Sequence, residues 1–569
     1  MYFPKLNAPA QKSVTLSRFL GYDGRCGAPA GSFARMENLC SEDYPALSVR
    51  ERRCSVGQAA KPHGLCAKDC LIWVDGTALY VNGVATGLTL SDGDKQLVSM
   101  GAYLIIWPDK KYINTADLTD FGSLENRVTT TDTVTFSLCD SGGTVLENYL
   151  CSDTAPEDPH GGELWLDTSG GDILRRYGEN GWSAVEDCCI RIASAGIGRG
   201  FAAGDGVTVS GAEADEVNGN AVVRAVGSDY LVVPGLLRTA SSQSAALCVE
   251  RRVPDMDYIT ECGNRLWGCK YGMVDGKAVN EVYGSKLGDF RNFHCFAGLS
   301  TDSYAASRGS DGPFTAAAAY LGSVLFFKEE CIERLYPNAG GAHQIVTTQC
   351  PGVKRGSHRS VAEVDGTLYY HAMGGVYAYQ GSLPVCVSAA WGALRGANAV
   401  AGGLNGKLYL SLTDTDGARH LLVYDTARKL WHRQDDLAVM GFACCDGELY
   451  AMSESGGILC LRGGTEEELT WLAESGELGL ETPQSCYMVR LIVELTLEAN
   501  ADMSAELSCD GGATWQRQGS VRAAGGGVRH AVLHLRPRRC HSLRLRLSGT
   551  GRCTLHSLTA VYEKGSEEG

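Results

Sequence analysis

Asp365-Gly366-Thr367-Leu368-Tyr369-Tyr370, Asn405-Gly406-Lys407-Leu408-Tyr409-Leu410 and Asp446-Gly447-Glu448-Leu449-Tyr450-Ala451 are three versions of one phrase. Each is a turn pair followed by a short strand of leucine and aromatics. Gly366, Gly406 and Gly447 follow one another at intervals of 40 and 41 positions, inside the period of about 40–50 residues of propeller blades. Asp-Gly and Asn-Gly suit a type I′ hairpin, whose two central residues both need positive φ. Such a chain reads as a rigid β scaffold whose work is more geometry than chemistry. Leu368, Tyr369, Leu408, Tyr409, Leu449 and Tyr450 are expected to alternate between buried and exposed sides of inner or middle strands.

The same rhythm extends outward. Asp75-Gly76-Thr77-Ala78-Leu79-Tyr80-Val81 and Gly101-Ala102-Tyr103-Leu104-Ile105-Ile106-Trp107 read as early blades. It stops from about 127 to 250, where short β-branched runs such as Gly206-Val207-Thr208-Val209-Ser210 and Tyr230-Leu231-Val232-Val233 indicate separate strands. It resumes at Met256-Asp257-Tyr258-Ile259-Thr260-Glu261, with a long interblade loop expected from Ser285 to Pro313. Near the end, Leu543-Arg544-Leu545-Arg546-Leu547 alternates with period two, placing leucines on one face and arginines on the other. The expected fold is all-β: a propeller of about six or seven blades, an inserted small β domain and a C-terminal β-sandwich. The partition is an extended arm over 1–55, first blades over 56–126, a small barrel-like insert over 127–250, and remaining blades over 251–463. A charged connector with one helical turn follows over 464–483, then the sandwich over 484–569.

Composition narrows the function. The 569 residues include 66 acidic and 51 basic side chains, for a net charge of −15. That balance argues against a general nucleic-acid binder, which needs a basic footprint. The first residues, Met1-Tyr2-Phe3-Pro4-Lys5-Leu6-Asn7, lack the pattern of an export signal, and no apolar run is long enough to span a membrane. The 23 cysteines are scattered through strand-like segments without a C-x-x-C pair. They read as buried thiols packing as small apolar groups. A zinc site through His63, Cys66 and Cys70 lacks a fourth ligand.

The sharpest local motif is Ser508-Cys509-Asp510-Gly511-Gly512-Ala513-Thr514-Trp515, a full match to the Asp-box pattern. Ser508, Asp510, Gly512, Thr514 and Trp515 are read as a structural hairpin. The carboxylate accepts turn N–H groups, glycine supplies positive φ, and the indole packs beneath. Asp255, Asp257, Glu261, Asp289, Asp302 and Asp311 gather around the long loop. Glycoside hydrolysis needs two carboxylates flanking one bond, and no pair stands out, so these read as turn and loop carboxylates. His530 and His534 share one strand face, read as a polar sheet face. Arg536-Pro537-Arg538-Arg539-Cys540-His541 is the one dense basic cluster, read as a solvated loop or a contact to an acidic neighbour. No catalytic residue, metal site or cofactor is expected, and the chain is not read as an enzyme.

The runs Asn264-Arg265-Leu266-Trp267-Gly268, Ser285-Lys286-Leu287-Gly288-Asp289, Thr301-Asp302-Ser303-Tyr304, Gly312-Pro313-Phe314-Thr315 and Leu325-Phe326-Phe327-Lys328-Glu329 resemble virion proteins of tailed phages and prophages of Gram-positive bacteria. So do Val423-Tyr424-Asp425-Thr426 with Trp431, and Pro537-Arg538-Arg539-Cys540 with Leu543 to Gly549. The resemblance covers most of residues 256–565. More distantly, the arm, propeller and insert are similar in architecture to nozzle or tail-hub proteins of short-tailed phages. The resemblance implies a tail, neck or nozzle ring subunit, assembled in the bacterial host cytoplasm and located in the virion. It implies a homo-oligomeric ring as partner, for which a hexamer is one stoichiometry, together with other tail or connector proteins. DNA would pass through the assembled channel without sequence-specific binding. Phe3, Phe19, Phe33, Tyr44 and Leu47 on the arm are the candidate assembly contacts. The alternative is a tail-tip adhesin that binds or cleaves glycans.

Overall fold

In the computed structural model the described residues are 11–464, 466–467, 469–478, 486–536 and 543–564. The fold is all-β and of the propeller class, with an inserted β domain and a C-terminal sandwich. The chain divides into two compact units, one of residues 1–95, 327–332 and 348–569, the other of 96–326 and 333–347.

In the first unit, antiparallel four-stranded sheets cover 62–89, 362–386 and 396–433. A fourth sheet takes three strands from 439–460 and is completed by Cys54–Gln58, far earlier in the chain. The turn chemistry is as the sequence reading requires. Asp365 and Gly366 sit at φ +48° and +73°, Asn405 and Gly406 at +49° and +72°, and Asp446 and Gly447 at +51° and +76°. The expected alternation along the strands that follow is corrected. Thr367–Ala372 is buried throughout, as are Leu408, Tyr409 and Leu449, and only Tyr450 is half-buried. Stacked sheets cover both faces. A Cβ on Gly402 would meet Phe442 of the next sheet, and one on Gly403 would meet Val364 of the previous one. Leu408, Leu410 and Leu422 accordingly pack with Val376, Trp391 and Trp431.

The sandwich belongs to the same unit, and here the sequence reading needs its largest correction. One sheet runs Leu39–Cys40, Leu47–Val49, Cys553–Lys564, Cys486–Leu497, Gly527–His534, with Gln11–Leu16 also on Cys553–Lys564. The other runs Gly21–Tyr22, Ser32–Glu37, Thr470–Ser475, Arg544–Thr550, Asp502–Ser508, Gln516–Arg522. The segment read as a separate arm therefore supplies strands to both sheets. The segment read as a connector holds the strand Thr470–Ser475 and no helical turn among its described residues. Phe19, Phe33 and Leu47 lie in the sandwich core with Trp471, Leu491, Val493 and Leu547. Apolar residues too few to fold alone find partners late in the chain, which a local reading of 1–55 could not show.

The second unit contains the four-stranded sheets of 96–123 and 258–307, and a further four-stranded sheet covers 316–349. The insert is clasped where Asn126–Thr129 pairs with Cys248–Arg251. Above this, a four-stranded and a five-stranded sheet enclose Val134, Phe136, Ile190, Ile192, Val207 and Leu231. A third sheet covers 149–184. These are separate hydrogen-bonded sheets rather than one closed barrel. At its base, buried Arg251 donates to Asp205 at 2.5 Å and to the Leu124 carbonyl at 3.2 Å.

Candidate functional site: the loop of residues 285–303

The long loop expected between blades is instead a connection inside one sheet. It joins Lys277–Gly284 to Tyr304–Ser307. Its backbone is pinned from within. Buried Arg265 donates to the carbonyls of Ser285 at 2.7 Å, Asp302 at 2.5 Å and Ser300 at 3.0 Å. The planar guanidinium suits this task because its donors fan out in a fixed fork. Asp302 closes the tip: one carboxylate oxygen accepts the N–H groups of Ala297, Gly298 and Leu299 at 2.6, 2.7 and 3.0 Å. Ser303 Oγ bridges the Cys295 N–H and the Asn292 carbonyl. Buried Asn292 ties the loop to the insert, donating to the Gly204 carbonyl at 2.7 Å and accepting from the Gly206 N–H at 3.1 Å. Phe290 and Phe293 are buried with Trp107 and Leu266.

This fixed backbone presents apolar side chains to solvent. Phe296 is 57 % exposed, Leu299 63 % and Leu287 44 %. Single exposed apolar residues are ordinary; here three lie on one loop. The sequence reading missed Phe296 and Leu299. The available signal was Asp302, six residues after Phe296 and three after Leu299, able to cap the preceding turn and hold the apolar tip outward.

The carboxylates around the loop are engaged in structure. Asp255 pairs with Lys110 at 2.8 Å. Asp257 pairs with Lys270 at 2.8 Å and accepts the Tyr271 N–H at 2.9 Å. Glu261 accepts the Asn264 N–H at 2.8 Å, and Asp289 pairs with Arg291 at 3.2 Å. Asp311 is exposed. With that exception each holds a turn or an ion pair, and the arrangement is suited to shaping a surface.

The Asp box forms the hairpin between Asp502–Ser508 and Gln516–Arg522. Asp510 accepts from Ser508 Oγ at 2.7 Å, the Thr514 N–H at 2.9 Å and Thr514 Oγ1 at 2.5 Å. These bonds hold its carboxyl well below the usual range. Gly512 sits at φ +99° and donates to Ser508 Oγ. The Arg546 guanidinium lies 3.8 Å from the Trp515 ring centroid. Among the assembly candidates, Phe19, Phe33 and Leu47 are spent inside the chain's own core. Tyr44 is half-buried under Arg18 and Arg428, and Phe3 lies outside the described residues. So do residues 537–541 of the basic cluster. His63 bonds Asp92 at 2.7 Å, and burial pushes the Cys66 thiol up to about 12. His530 is exposed opposite Glu494 at 3.5 Å. Among the described residues no helix is long and apolar enough to cross a membrane.

No protein-family profile and no curated protein matches the chain. Solved structures similar to it include an exo-β-1,3-galactanase from Phanerochaete chrysosporium, at 10 % identity over 53 % of this chain and 94 % of that one, with a TM-score of 0.22. BamB from Moraxella catarrhalis is 8 % identical over 75 % of this chain and 97 % of its own, with a TM-score of 0.29. A glycoside hydrolase family 43 arabinoxylan arabinofuranohydrolase from Bacillus subtilis is 10 % identical over 54 % of this chain and 95 % of its own, with a TM-score of 0.14. Likeness at this level assigns neither an activity nor a partner.

Proposed function

We propose that the chain is a structural subunit of a bacteriophage virion, a tail, neck or nozzle ring component that acts through protein–protein assembly. The assignment to a virion rests on the sequence resemblance, and the assembly role on the loop. One observation joins them. The runs that carry the resemblance, 264–268, 285–289 and 301–304, contain Arg265, Ser285, Asp302 and Ser303, the residues that pin the loop. The residues of the resemblance thus build a surface that holds Phe296 and Leu299 in water at a cost of about 1.5–3 kcal/mol for each large apolar side chain left unburied. A partner surface would recover that cost.

The test is incorporation. The double variant Phe296→Asp/Leu299→Asp changes exposed side chains only, so it folds with an unchanged melting curve. It is expected to be lost from particles when it replaces the native chain in a phage complementation assay, read by electron microscopy. Normal incorporation would overturn the reading. Hydrolysis or tight binding of a glycan by the full chain would overturn it in favour of the tail-tip adhesin.

A further inference from the structure

No residue of the strand Cys54–Gln58 is buried, and Val56 is 48 % exposed. Its hold on Gly457–Cys460 is therefore a matter of backbone bonding, over four pairs and across one irregularity in register. Elements with few buried apolar contacts are the ones that open locally. At one end the strand is continued by buried Ala59, whose N–H donates to the Gly456 carbonyl at 2.8 Å. At the other end the ladder stops at Cys54, opposite Cys460.

Cys54 and Cys460 are direct partners across the two strands, so both side chains leave the same face of the sheet. Directly opposite residues of an antiparallel pair have Cα atoms about 4.5–5.5 Å apart. A disulfide bridges Cα separations of about 4.4–6.8 Å. Both thiols are free, Cys54 half-buried and within reach of solvent, Cys460 buried. A second pair in the same register, Cys139 and Cys189 in the insert, sets the contrast. There both thiols are buried, and burial pushes Cys139 up to about 12. The thiolate is the nucleophile in disulfide exchange, so the insert pair lacks both the access and the thiolate that exchange requires.

We propose that Cys54 and Cys460 form a conditional disulfide, which fastens the strand Cys54–Gln58 to the sheet of 439–460 once the protein meets a low-molecular-weight disulfide oxidant. The Cys54 thiolate attacks one sulfur of the oxidant, whose S–S bond breaks and whose other half leaves as a thiolate. The Cys460 thiolate then attacks the Cys54 sulfur and displaces the second half. Two protein thiols become one disulfide, the oxidant is reduced to two thiols, and the two protons pass to them. A reducing cytoplasm keeps the pair open and an oxidising medium closes it, so reductant changes nothing in protein that has met no oxidant. The link ties residues more than 400 positions apart, and closing so long a loop removes conformational freedom from the unfolded chain. The inference stands apart from the virion reading, since it needs only the pair and the oxidant.

The experiment treats the full chain with glutathione disulfide, blocks the remaining thiols and maps cross-links by mass spectrometry of a non-reduced digest. A peptide joining Cys54 to Cys460 is expected, with Cys139 and Cys189 left as free thiols. At one urea concentration the linked chain should unfold with an equilibrium constant at least about tenfold smaller than the untreated chain, and dithiothreitol should abolish the gain. Cys54→Ser, given the same treatment, should show no gain, which separates the link from glutathione added at exposed cysteines such as Cys26. Glutathione held on Cys54 with no 54–460 peptide would overturn the proposal. So would a link that leaves the urea midpoint unchanged, or a gain of the same size in Cys54→Ser.

Discussion

Asp510 shows how much one side chain can hold at a turn. Its carboxylate gathers bonds from Ser508 and Thr514 and is held below the ordinary carboxylate range by them. A depressed carboxyl contributes stability above its unfolded value, near 3.9, and loses it as pH falls through the folded value. Asp510→Ala is expected to lower the melting temperature near neutral pH. The difference from the native protein should begin to shrink below the unfolded value, where the unfolded chain binds a proton that the folded carboxylate still excludes. Scanning calorimetry at pH 7 and pH 3 checks this, and an equal deficit at both would contradict it. Leu321 is the opposite case. It sits at φ +49° beside Gly322 at +67°, in the turn position that Asp or Asn holds in the repeated phrase. Left-handed backbone costs an ordinary side chain roughly 1–2 kcal/mol, and Leu321 is 62 % exposed, so it recovers little by packing. Leu321→Asn should raise stability by about 0.5–1 kcal/mol, measured as a shift in urea midpoint.

At the scale of elements, the 285–303 loop and the sandwich strands divide what local sequence can and cannot show. The Asp-Gly and Asn-Gly pairs announce their hairpins because the requirement for positive φ is local. The Asp box is legible for the same reason. The strand role of Ser32–Glu37 is not, because its partner Thr470–Ser475 lies more than 400 residues later. The burial of Tyr369 and Tyr409 escapes period-two reasoning, which assumes one open face, whereas stacked sheets leave none. Phe296 and Leu299 look like ordinary loop residues, since their fixed display depends on Arg265 folding in from the turn before Leu266–Val274. If that clamp rigidifies the loop, Arg265→Ala should unfasten it. Limited proteolysis is expected to cut near 296–300 in the variant and spare the native protein. The variant should also lose stability on the order of 1–3 kcal/mol from carbonyls left without donors. Resistance to proteolysis in the variant would refute the clamp.

Among the described residues, His371 and His432 are buried and His358 is half-buried, and all three are held neutral. Burial holds His358, His371 and His432 at about 4, with Arg359, Lys354 and Lys407 adding to the effect. Unfolding returns each toward 6.5. The unfolded chain therefore binds more protons between these values, and stability rises with pH across the window. The protein should be fully stabilised by these groups above pH 6.5 and lose that contribution as pH falls toward 4, by on the order of 3 kcal/mol for each ring. Urea midpoints at pH 7, 5.5 and 4.5 should fall in that order, and a flat profile would refute it. The thiols make a second expectation. No disulfide joins any of the 21 cysteines whose side chains are described. The melting temperature should be the same with and without reductant. A thiol reagent should label Cys26, Cys151, Cys386 and Cys444 at once, but Cys139 and Cys553, pushed up to about 12, only on unfolding.

The strand Cys54–Gln58 completes a sheet whose other three strands come from 439–460, and Gln11–Leu16 waits likewise for Cys553–Lys564. On a ribosome adding about 5–20 residues per second, the first of these emerges roughly 20–80 seconds before its mates exist. For that interval it is an unpaired edge, open to pairing with the nascent chains of adjacent ribosomes. The soluble yield in a cell is therefore expected to depend on translation speed as well as on the stability of the finished fold. Slowing elongation through residues 60–430 should increase the insoluble fraction, while co-expressing a strand-shielding chaperone should reduce it.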